Sequence, residues 1–91
     1  MVEYRVIYSR QAEKDKRFLK QAGLAKKALD LLDIISTNPY QSPPLFERLR
    51  GNLSEYFSRR ISLQHRLIYE VDEGKKEVFI VRMWTHYEKV G

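Results

Sequence analysis

The chain has 91 residues, a net charge of +5 and no cysteine, which bounds it to one domain, 1–91, and excludes disulfides, thiolate chemistry and cysteine-ligated zinc. A hydrophobic fraction of 43% with 12% aromatics suits a packed globule rather than a disordered chain, and no apolar run approaches the roughly 20 residues of a membrane helix. The sequence pI near 9.6 favours an anionic partner, either nucleic acid or an acidic protein.

The opening MVEYRVIYSR alternates apolar residues with charges and lacks the uninterrupted apolar core of a signal peptide. Together with the missing cysteines, this is the pattern of a cytoplasmic protein. Residues 3–8 read as a strand, with Tyr4, Val6 and Tyr8 on one face. Ser9 is placed to cap a helix over residues 10–22, with Glu13 in its first turn. The apolar stripe of that helix is thin: Ala12, Phe18, Leu19 and Ala22. Lys14, Asp15, Lys16, Arg17 and Lys20 read as solvated. Gly23 ends it. A second helix over residues 24–36 carries Leu24, Ala28, Leu31, Leu32 and Ile35 at helical spacing, so the two form a helical hairpin.

The segment TNPYQSPP, residues 37–44, is too proline-rich to continue a helix or pair as a central strand. A short strand is expected over residues 45–50, then a turn at Gly51-Asn52, a strand over 56–62 and a tight turn near Leu63-Gln64. Residues 65–71 are apolar on both faces apart from Arg66 and Glu70, which marks a central strand. A turn over 72–75 leads to the last strand, 77–84. The element order is β-α-α-β-β-β-β: an α+β domain in which an N-terminal strand and helical hairpin pack on a mainly antiparallel sheet. No local pattern sets the strand order beyond the sequential hairpins.

The stretch FERLRGNLSEYFSRRISLQHRLIY, residues 46–69, holds five of the nine arginines (Arg48, Arg50, Arg59, Arg60 and Arg66) and no lysine, against Glu47 and Glu55. Arginine without lysine points to a planar, bidentate grip on phosphate. With a two-residue loop at 63–64, Arg59 and Arg66 share a sheet face and Arg60 takes the other. A one-residue slip reverses this. His65, inside an apolar strand start, reads as structural. His86, beside Tyr87, can change protonation near neutral pH. Two distant histidines without clustered carboxylates argue against a metal site, and there is no glycine-rich phosphate loop and no Ser-His-Asp arrangement. A carboxylate, several arginines and a histidine on neighbouring strands meet the needs of RNA cleavage by the 2′-hydroxyl: a base for its proton, cations for the charge building on phosphorus, and an acid for the leaving 5′-oxygen. That chemistry requires no metal and no other cofactor. The same composition also fits a non-catalytic module that holds nucleic acid or the ribosome.

The segments NLSEYFSRRISLQHRLIYEV (residues 52–71) and RMWTHYE (residues 82–88) resemble the YoeB/Txe toxins of bacterial type II toxin–antitoxin modules, within the RelE-like superfamily, and the likeness covers nearly the whole chain. The resemblance implies a RelE-like fold and a small endoribonuclease that cuts mRNA in the ribosomal A site and arrests translation. It implies Glu47 as base, Arg66 as the arginine of the transition state, and His86, with Tyr87 beside it, as the acid. Arg50 stands where the family usually has lysine, and Arg60 is a further phosphate contact. The tail Glu88-Lys89-Val90-Gly91 extends past the point where many relatives stop. The implied partners are the ribosome with its mRNA and a YefM/Axe-like antitoxin whose acidic C-terminal segment folds onto the toxin. The toxin–antitoxin complex would bind operator DNA mainly through the antitoxin, with no membrane involved. A homodimer is a further assembly compatible with the sequence.

Overall fold

The computed structural model describes residues 3–49 and 55–85. In chain order these form β1 (Arg5–Tyr8), α1 (Arg10–Gln21), α2 (Ala25–Thr37), β2 (Phe46–Arg48), β3 (Phe57–Arg60), β4 (Arg66–Asp72) and β5 (Glu77–Thr85). The five strands make one sheet in the order β1-β5-β4-β3-β2. β1 lies parallel to β5, and every other neighbouring pair is antiparallel. The element types and order follow the periodicity of the sequence. The pairing of the first strand with the last does not, because nothing in a local pattern encodes a contact seventy residues away.

Polar contacts at the helix ends tie the hairpin to the sheet. The Ser9 Oγ accepts from the Ala12 N–H at 2.9 Å, which caps α1, and donates to the Val81 carbonyl at 2.7 Å, which holds that cap against β5. At the other end Gly23 has φ +75°. Its N–H donates to the Lys20 carbonyl at 3.2 Å, and the Leu24 N–H donates to the Leu19 carbonyl at 2.8 Å. These are the paired bonds of a Schellman motif, whose left-handed residue is best supplied by glycine. The carbonyl of Ser36 accepts from Glu3 and Tyr4 amides at 3.0 and 2.8 Å, so the end of α2 anchors the start of β1.

The core joins Ala12 and Leu19 of α1 and Ala28, Leu31, Leu32 and Ile35 of α2 to Leu67, Tyr69, Val78 and Ile80 of the sheet. Asp15 departs from expectation. Its charge and its lysine and arginine neighbours place it on the solvated side of α1, yet it is fully buried. Its Oδ2 accepts from the Met83 N–H at 2.9 Å and from Arg82 Nε at 3.0 Å, and its Oδ1 accepts from Gln11 Nε2 at 3.1 Å. The reason lies in spacing and in β5. Asp15 stands three residues after Ala12 and four before Leu19, on the stripe that α1 buries. It faces β5 where the register with β4 shifts, and there it satisfies a backbone amide and a cation together.

Candidate functional site

The register of β2, β3 and β4 sorts the arginine-rich stretch onto two faces. Glu47 pairs with Ser58, Ser58 with Ile68, and Arg60 with Arg66. Directly opposed residues share a face, so Glu47, Ser58, Arg60 and Arg66 stand together. Phe46, Phe57, Arg59, Leu67 and Tyr69 take the other face. This reverses the arrangement that a two-residue loop would give. The Ile61 and Ser62 amides both donate to the His65 carbonyl, at 2.9 and 3.1 Å. The Ser62 Oγ accepts from the amides of Gln64 and His65, at 3.2 Å each. The loop is thereby one residue longer than expected, and the one-residue change exchanges Arg59 and Arg60 between faces.

Arg59 is completely buried and none of its partners is a carboxylate. Its Nε donates to the Tyr69 hydroxyl at 3.1 Å, Nη1 to the Pro44 carbonyl at 2.7 Å, and Nη2 to the Pro39 and Gln41 carbonyls at 3.1 and 2.9 Å. Its guanidinium carbon also lies 4.9 Å from the Phe46 ring centre. The Tyr69 hydroxyl donates in turn to the Pro39 carbonyl at 2.7 Å. Burial pushes the Tyr69 pKa up, against the opposing pull of Arg59. Arg59 thus braces the proline-rich segment that immediately precedes β2, and β2 carries Glu47.

On the other face Arg66 Nη1 donates to Glu47 Oε1 at 3.0 Å. The Arg66 side chain is 16% exposed and that of Glu47 47%, so the pair faces a solvent-reaching space. These two residues, with Arg60 and Ser58, line a cavity of about 490 Å³, closed on other sides by Leu31 and Ile34 of α2 and by Pro44 and Leu45. A larger cavity of about 620 Å³ is lined by Glu55, Glu70, Asp72, Glu73 and Glu77 with Arg48 as its cation. Its charge would repel a phosphate, so an anionic ligand fits the smaller space. Among the described residues no three His, Asp or Glu side chains gather as a metal would require.

Of the site residues expected from the sequence, the structure therefore brings together Glu47, Arg66 and Arg60. Arg50, His86 and Tyr87 lie outside the described residues. The last described residue of β5, Thr85, pairs with Arg66. His65 stacks on Trp84, with ring centres 3.6 Å apart and planes at 14°, and Trp84 stacks on Phe18 at 5.9 Å. Its place in an aromatic stack agrees with a structural role. Ser58 was not singled out by sequence reasoning. The alternation of Phe57 and Arg59 against Ser58 and Arg60 was the available signal, once the register was known.

A sequence profile for the family described as "YoeB-like toxin of bacterial type II toxin-antitoxin system" matches residues 7–87. The chain is 34% identical over 77 residues to toxin YoeB of Synechocystis sp., covering 85% of this chain and 80% of the relative. Its structure is similar to that of the YoeB dimer from Staphylococcus aureus, with a TM-score of 0.77 and 32% identity over 93% of this chain and 99% of the other. It is equally similar to a chain of the heterotetrameric YoeB–YefM toxin–antitoxin complex from the same organism, with a TM-score of 0.77 and 33% identity over 92% and 98% of the two chains.

Proposed function

The chain belongs to the YoeB-like toxins of bacterial type II toxin–antitoxin systems, with their RelE-like α+β fold, and on that premise we propose that it is a ribosome-dependent endoribonuclease that cuts mRNA and so halts translation. The observation that carries this reading is the juxtaposition of Glu47 and Arg66 at 3.0 Å, with Arg60 on the same sheet face. A carboxylate beside two guanidinium groups, in a cavity open to solvent, has the parts needed to act on a phosphodiester.

In this reading Arg66 and Arg60 grip the scissile phosphate, with Arg50 as a further contact. Glu47 takes the proton of the neighbouring 2′-hydroxyl. The 2′-oxygen then attacks phosphorus and the bond to the 5′-oxygen breaks, which leaves a cyclic phosphate on one fragment. His86, with Tyr87 beside it, supplies the proton to the departing 5′-oxygen. His86 follows Thr85 directly in the sequence, and Thr85 is the register partner of Arg66. A free carboxylate is a weak base at neutral pH, so the ribosome's positioning of the mRNA supplies part of the rate.

The natural partner is an antitoxin, as in the YoeB–YefM complex from Staphylococcus aureus. An acidic segment suits the cationic face of β3 and β4. Expression of the chain alone should stop growth, and primer extension on mRNA from those cells should show breaks at codon-linked positions that vanish with Glu47→Ala. Growth arrest without breaks would instead identify a module that binds the ribosome or mRNA without cutting.

A further inference from the structure

The Ser58 side chain is 1% exposed, and its Oγ has no hydrogen-bond partner among the described residues. An unpaired buried hydroxyl weakens a fold, and serine is a poor strand former beside the valines and isoleucines that suit a pleated interior. Its surroundings supply a reason for its presence. β3 lies between β2 and β4, and the Glu47–Arg66 bridge runs from β2 to β4 across the face that Ser58 shares. Ser58 is also the direct register partner of Glu47, and all three residues line the same cavity.

Arg66 holds the carboxylate through Nη1, and a scissile phosphate that draws the guanidinium toward itself competes with Glu47 for that donor. When RNA arrives, the Glu47 carboxylate loses its donor. We propose that Ser58 is the positioning residue that replaces it. The Glu47 carboxylate turns onto the Ser58 hydroxyl, which donates to one carboxylate oxygen and leaves the other free to take the 2′-hydroxyl proton. No bond to Ser58 is made or broken. The small side chain fits beneath the bridge at rest, and the hydroxyl finds its partner only with substrate bound. This rests on the nuclease reading above and adds to it a residue that acts through the base.

The test uses the full chain on ribosome-bound mRNA, under single-turnover conditions, with five proteins: wild type, Ser58→Ala, Ser58→Thr, Glu47→Gln and the Ser58→Ala/Glu47→Gln double variant. Ser58→Ala should cut about tenfold or more slowly at saturating ribosome, the loss expected for one hydrogen bond to a charged group. Its half-saturating ribosome concentration should not change, and it should melt at or above the wild-type temperature. Ser58→Thr should recover most of the rate. In the Glu47→Gln background the alanine should add nothing, because the two residues act as a unit. The proposal falls if wild type cuts and Ser58→Ala cuts as fast, if threonine is as slow as alanine, if the two losses multiply, or if Ser58→Ala melts lower. A wild-type chain that binds ribosomes and cuts nothing overturns the nuclease reading itself, and this inference with it.

Discussion

Arg66 reaches over an intervening strand to hold Glu47: its Nη1 lies 3.0 Å from Glu47 Oε1, although one residue is on β4 and the other on β2. With Glu47 about half exposed, such a pair contributes at most about 1 kcal/mol to stability. Its effect on chemistry should be far larger. Glu47→Gln should lower cleavage by roughly a hundredfold or more, the usual loss of a general base, while shifting the thermal midpoint little. Arg66→Ala should do likewise through the unneutralised phosphate. Melting curves and single-turnover cleavage on ribosomes check both arms together. A large fall in melting temperature would reassign the pair to the fold.

Arg59 and Arg60 are adjacent in sequence and opposite in consequence. Arg59→Met would leave the carbonyls of Pro39, Gln41 and Pro44 and the Tyr69 hydroxyl without their donor. We expect destabilisation of about 3 kcal/mol or more, in keeping with loss of a buried hydrogen-bonded charge. Arg59→Lys should recover only part, since an ammonium cannot fan out to four oxygens in a plane. Arg60 is exposed, so Arg60→Ala should change stability by less than about 0.5 kcal/mol. It should instead weaken RNA binding and flatten its salt dependence by about one phosphate contact. Denaturant unfolding of the two variants, beside RNA binding at several salt concentrations, separates them.

That contrast also shows what the sequence could reveal. Helix and strand positions follow from apolar spacing, and Gly23 and Ser9 mark ends that the chain keeps. The face occupied by each arginine depends on a single residue of loop length, set by the Ser62 hydroxyl and two amides sharing one carbonyl. No periodicity contains that information. Asp15 was legible in hindsight, at the right spacing for burial, but its charge argued for solvent until Arg82 and the Met83 amide were seen beside it. The convergence of Glu47 with Arg66 follows from the two sequential hairpins β2-β3-β4, but only in the register that puts both on the Ser58 face.

The Glu73 carboxylate gathers hydrogen bonds from Tyr40 at 2.6 Å, from Tyr4 at 3.0 and 3.1 Å, and from Lys76 at 3.2 Å. The Tyr40 bond, then the Tyr4 bond, hold its pKa below the ordinary value of 4.5. A carboxyl depressed in the folded state binds fewer protons there than in the unfolded chain. Its contribution to stability is therefore present above pH 4.5 and disappears as pH falls through the lower folded value. Glu73→Gln should remove that component, so the variant's stability should fall less steeply on acidification than that of wild type. Urea midpoints measured from pH 7 down to pH 3 check this, and parallel curves would show that the cluster does not contribute.

Asp15 should be the most sensitive carboxylate to truncation. Asp15→Ala removes the acceptor of three donors at once: the Met83 amide, the Arg82 guanidinium and the amide of the exposed Gln11. Arg82 is 36% exposed and can turn partly to water. The Met83 amide is buried with Asp15 as its acceptor, so it cannot. The expected loss is about 3 kcal/mol, most of it from that amide and the emptied space. Asp15→Asn keeps one acceptor oxygen and nearly the same volume, so it should lose less, provided its carbonyl faces Met83. The amide of Met83 reports the difference directly. Hydrogen exchange there should quicken strongly in the alanine variant and modestly in the asparagine variant. Unchanged exchange in Asp15→Ala would mean that β5 holds its end without α1, against the reading of Asp15 as the tie between helix and sheet.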